Sequence, residues 1–133
     1  MDEIEKARKR LAKAAIAFLI TEALLTFFNI EAANYASNTL QDPTDYWVSV
    51  LYSLVGIVLA VVHLVLWAKP ELRPLQSFTR ATVLSAIAAV LAFGSAFLVH
   101  SAYRELMLLI VGGMNGLIFR LALTALRRAR TKS

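Results

Sequence analysis

Five polar side chains interrupt otherwise apolar stretches of this sequence: Glu22, Asn29, His63, Asn115 and Arg120. A carboxylate, an imidazole, a guanidinium and two amides are groups that bind a proton, an ion or a small polar solute. In hydrocarbon they are costly, since a charged side chain at mid-membrane costs roughly 2.5–3.5 kcal/mol on insertion scales. Intramembrane Glu, Arg and His are therefore candidates for function by default. At about 1.5 Å of rise per residue, Glu22 lies roughly 12 Å in from Ala14, His63 roughly 9 Å in from Lys69 and Arg120 roughly 10 Å in from Arg127. That common depth predicts a Glu22–Arg120 ion pair with His63 nearby. The alternative is an Arg120 that snorkels to the headgroups and a Glu22 kept neutral by a hydrogen bond. Asn29 and Asn115 sit deeper and either bond across helices or line a wet path. Glu31, sharing a helix face with Asn34 and Asn38, and His100 make an outer polar group, and Glu31 with His100 is the one acid–base pair worth naming.

Other chemistries fit less well. There is no Cys, hence no disulfide, thiolate metal site or cysteine nucleophile. A membrane haem is held between two His on facing helices, whereas His63 and His100 are set roughly 20 Å apart along the membrane normal. Neither His has a second ligand at helical spacing, so no metal and no cofactor is expected. No carboxylate pair or activated nucleophile recurs beside the headgroups, and the chain is read as not an enzyme.

The elements that would position these groups are membrane helices. Of 133 residues, 59% are hydrophobic and 17% charged, and the apolar stretches 14–35, 46–68, 81–103 and 106–126 each have spanning length. The expectation is an all-α integral membrane protein: a single domain over 1–133, an antiparallel four-transmembrane-helix bundle with both termini cytoplasmic. What remains is too short for a second folded domain. The first stretch is too long and too polar for a signal-peptide core, and the charged start is expected to extend the first helix outward. Of the fourteen Lys and Arg, all but Arg104 fall in the N-terminal tail, around the second connection (Lys69, Arg73, Arg80) or from Arg120 to the end. The positive-inside rule then places both termini in the cytoplasm of a plasma or inner membrane. The net charge of +5 is on this account topological. Anionic lipid, not nucleic acid, is the expected partner of Arg127, Arg128, Arg130 and Lys132.

Tyr35, Tyr46, Trp47 and Tyr103 are expected at the outer boundary, and Trp67 and Phe78 at the inner one. Asp42-Pro43 marks the first connection, Pro70 and Pro74 the second, and Tyr103-Arg104-Glu105 a tight third. Small residues predict packing seams at Ser49, Ser53, Gly56, Ala60 and His63; at Ala81, Ser85, Ala88, Ala92 and Ser95; and at Gly112 and Gly116.

Four spans with a carboxylate in the first resemble the small multidrug resistance transporters, which bind cations and protons at a first-helix Glu. That family's aromatic and glycine pattern in the third helix is missing from 81–103, and the charge bias here opposes a dual-topology dimer. A voltage sensor needs Arg at every third position of the last helix, and only Arg120 precedes its end. Two readings of function remain. One is a transporter or channel subunit binding a proton, ion or small solute at the polar cluster. The other is an accessory, scaffold or assembly subunit whose seams pack against a second copy or another membrane protein; a designed membrane bundle would share these features.

Overall fold

The computed structural model describes residues 3–68 and 74–132, with side chains described for 4–65 and 76–131. The readings at Trp67, Lys69, Pro70, Arg73 and Lys132 fall on side chains outside that range. The described residues form four helices: α1 (Glu3–Asn38), α2 (Thr44–Ala68), α3 (Pro74–Leu98) and α4 (Ala102–Lys132). All four are long and apolar enough to cross a membrane.

Their ends are set by local chemistry. The charged start is helical from Glu3, with Glu5 and Lys9 at the i,i+4 spacing that favours a helix. α1 stops in a Schellman motif: Gln41 N–H donates to Ala36 C=O at 2.8 Å, Leu40 N–H donates to Ser37 C=O at 3.4 Å, and Leu40 takes a φ of 61°. α2 starts after Asp42, whose Oδ1 accepts from the Thr44 N–H at 3.0 Å and the Thr44 hydroxyl at 2.5 Å. The third connection is 99–101, not Tyr103-Arg104-Glu105. Ser101 caps α4 by accepting the Arg104 N–H at 3.4 Å, and this draws those three residues into the first turn. α3 begins at Pro74, a residue suited to a helix's first turn, and ends at Leu98, short of the predicted 103. The basic tail after 126 continues α4 as helix.

α1 pairs closely with α2, and α3 with α4; α4 also lies against both α1 and α2, while α2 and α3 barely touch. The antiparallel bundle is thus two hairpins joined through α4, open on the α2/α3 side. The α2 seam is as expected, with Ser49, Ser53, Gly56, Ala60 and His63 all buried. On α3 the buried residues from 81 onward are Ala81, Ser85, Ala89, Ala92 and Ala96, whereas Ala88 and Ser95 line the α2/α3 opening. Phe78 is fully buried in the core beside Leu11, Phe18 and Ile118, so it is a packing residue and not an interfacial anchor.

The distribution of polarity is inverted relative to a protein in water. Exposed positions include Ile20, Leu24, Phe27, Phe28, Leu51, Val55, Val58, Ile87, Val90 and Phe97, while Glu22, Asn29, His63 and Asn115 are inside. Large apolar side chains cover the outside only where the solvent is itself apolar. The protein is membrane-embedded.

Candidate polar site in the bundle interior

Glu22 sits on the buried face of α1 with Phe18, Asn29 and Ala33 and is 1% exposed. It lies against the α2 backbone at Gly56: a Cβ built there would stand 2.6 Å from the Glu22 Cδ and 2.8 Å from Oε2. Glycine is needed at Gly56 for space rather than for backbone freedom. The Ser53 hydroxyl, one turn away on α2, is the polar group beside the carboxylate. By distance and angle neither Glu22 oxygen has a hydrogen-bond partner among the described residues.

Two other polar groups occupy the same interior. His63 is fully buried, and its Nε2 faces Asn115 Oδ1 at 3.5 Å. The Asn115 Nδ2 donates to Val111 C=O at 2.9 Å, which fixes Oδ1 as the acceptor and makes Nε2–H the donor. Among the described residues the His63 Nδ1 is left as a buried lone pair with no partner. Asn29 donates to Leu25 C=O at 2.7 Å and approaches the Met107 sulfur at 3.8 Å, and it accepts from the Tyr103 hydroxyl. Asn29 is seven residues from Glu22, and His63 seven from Gly56 in the antiparallel partner. The three groups therefore form a column at steps of two helical turns, about 10 Å each. Asn29 with Tyr103 stands at one end, Glu22 with Ser53 in the middle and His63 with Asn115 at the other.

The predicted Glu22–Arg120 pair does not form. Arg120 is exposed on the outward side of α4, where Gly113 and Gly116 have open space around them. Of the two glycines in the α4 seam, only Gly112 is a close approach, with a Cβ there 2.9 Å from the Phe93 ring. His63 is also two turns away from Glu22 rather than beside it. Glu31 and His100 are both exposed and make no hydrogen bond or ion pair with each other among the described residues.

A second polar cluster was not anticipated. Arg104 Nε donates to Asp45 Oδ1 at 2.6 Å, the Ser101 hydroxyl donates to Asp45 Oδ2 at 3.1 Å, and the Tyr46 and Tyr103 rings meet edge-on with centroids 5.1 Å apart. This latch ties the start of α2 to the start of α4. Nearby, the Thr44 hydroxyl and then its N–H hold the Asp42 carboxyl below the ordinary aspartate range. Among the described residues no group of His, Asp and Glu is placed to hold a metal ion. No family model, curated protein or solved structure matches the chain.

Proposed function

We propose that this chain is a small membrane transporter or channel subunit in which Glu22 binds a proton or small cation inside the bilayer. The supporting observation is the Glu22 carboxylate itself, buried beside the Ser53 hydroxyl and, among the described residues, without an ion-pair partner. A lone anion in a medium of low dielectric is expensive, and a bound proton or cation removes that cost. Asn29, His63 and Asn115 extend the polar interior on both sides, so the site has polar neighbours toward each end of the bundle. On this reading Glu22 is the binding group, His63 offers a free Nδ1 lone pair, and Arg120 takes no part. The basic ends of α1 and α4 face the cytoplasm and the Arg104 end faces outward, as the positive-inside rule expects. Infrared difference spectroscopy on the reconstituted protein tests the site. A carboxyl band that disappears in Glu22→Gln and responds to pH or to added monovalent cation supports the proposal; a band indifferent to both would count against it.

One observation favours the second reading, an accessory subunit. The opening between α2 and α3 is a groove of about 430 Å³ lined by Val55, Leu59, Ile87, Leu91, Leu108 and Val111, a shape that takes an apolar helix from another membrane protein. Co-purification of a partner that is lost in Ile87→Trp, with no flux in the isolated protein, would favour that reading.

A further inference from the structure

The residue that failed to pair with Glu22 has its own surroundings. Arg120 and Arg128 from α4 and Arg10 from the start of α1 surround a hollow of about 80 Å³. The remaining lining is Ala7, Leu121, Thr124 and Ala125, with no carboxylate. All three arginines are exposed, and among the described residues their side chains make no ion pair or hydrogen bond. The Thr124 hydroxyl is already turned to the Arg120 carbonyl at 2.9 Å. Three guanidinium groups around one hollow repel each other, and among the described residues no carboxylate stands in the lining to offset this. The hollow is several times larger than a water requires. Forked guanidinium donors match a phosphate, which can accept from more than one of them at a time.

The hollow's place in the bundle identifies what carries the phosphate. The hollow is set between Arg128, just beyond the apolar stretch, and Arg120, roughly 10 Å inside Arg127, so it lies at the basic end of the α4 span. Toward the membrane centre on this side of α4, Gly116 and Gly113 leave open space and Leu117 is 49% exposed. A ligand with a phosphate at one end and a chain at the other fits both parts. Beside the hollow, Lys6, Lys9 and Lys13 form a second basic patch that shares Arg10, which raises the local concentration of anionic lipid.

We propose that Arg10, Arg120 and Arg128 form a binding site for the phosphate of an anionic phospholipid in the cytoplasmic leaflet, with its acyl chain lying along the Gly113–Gly116 side of α4. The site is separate from Glu22 and does not rest on transport. Native mass spectrometry of the full chain, titrated with phosphatidylglycerol and with phosphatidylcholine, tests it. The proposal expects one phosphatidylglycerol held more tightly than the rest, weakened about tenfold by Arg120→Gln and by Arg10→Gln through loss of charge-assisted hydrogen bonds. Lys9→Gln with Lys13→Gln should leave that first lipid bound, since those side chains only enrich the surface. Equal weakening by the lysine and arginine substitutions would overturn it, as diffuse attraction and not a site. Displacement of the first lipid by millimolar inorganic phosphate, with no preference left for the lipid, would also overturn it in favour of a soluble anion. Circular dichroism on each variant confirms the helical fold, which these exposed side chains should not disturb.

Discussion

The Glu22 carboxyl group occupies the space that a side chain at Gly56 would fill, on a helix that contributes Ser53 one turn away and His63 two turns away. The atoms a new methyl would meet first belong to the flexible end of Glu22 and not to backbone. Gly56→Ala should therefore move the carboxyl rather than break the α1/α2 interface. We expect a cost of about 1–2 kcal/mol, typical of modest overpacking, that falls to a few tenths in a Glu22→Ala background. Thermal unfolding of the four proteins of this cycle in detergent measures the coupling; equal costs in both backgrounds would show that the methyl meets something else.

The Asp45–Arg104 pair is 45% and 28% exposed on its two sides, so water screens it. Its contribution should be about 0.5–1 kcal/mol, lowered by salt. A double-mutant cycle with Asp45→Asn and Arg104→Gln, run at low and high ionic strength, checks this. A coupling energy that ignores salt would mean that the latch is more shielded in the membrane than its exposure indicates.

Leu40 holds a left-handed conformation at the end of α1 and is 97% exposed. It pays the steric cost of that conformation and recovers no burial. Leu40→Gly should stabilise the protein by about 0.5–1 kcal/mol, read as a raised unfolding midpoint, and Leu40→Val should lower it. A loss on going to glycine would mean that the Leu40 side chain is held by lipid or by another chain.

Asp42 titrates below its ordinary value because Thr44 bonds its charged form. A carboxyl whose folded value is lowered adds stability that is present above its unfolded value and is lost as pH falls through the folded one. Acid should therefore weaken the α1–α2 connection below about pH 4, and Asp42→Ala should remove that part of the acid sensitivity. Hydrogen exchange at the Thr44 amide as a function of pH reports it.

How much of this was legible follows from particular residues. The four spans were, because an apolar run of that length has few other uses, and so was the α2 seam, where Ser49, Ser53, Gly56, Ala60 and His63 are the small or polar exceptions among Val and Leu. The α3 seam was misplaced by one residue at two points. Ala88 and Ala89 look alike in sequence, and only the lean of α4 decides which is buried. Arg120 was set on the wrong side for a similar reason. Gly113 and Gly116 mark a face that can approach another helix but do not require one there. Partners between helices, such as Asp45 with Arg104 or Asn29 with Tyr103, depend on the offset between helices, which periodicity within one helix does not carry. Glu22, Asn29, His63 and Asn115 are inside because hydrocarbon disfavours polar groups at those depths, whereas the long side chain of Arg120 can reach the polar boundary from an exposed position.

The central claim is that the unpartnered Glu22 carboxylate is a working site. Purified protein in liposomes, under an imposed pH gradient or membrane potential, should pass protons or a monovalent cation above the rate of empty vesicles. Glu22→Gln, with the same fold and oligomeric state, should abolish that flux, while Arg120→Gln should leave it intact. No flux in the wild type, or equal flux in Glu22→Gln, would contradict the account and leave Glu22 a buried polar group without a transport role.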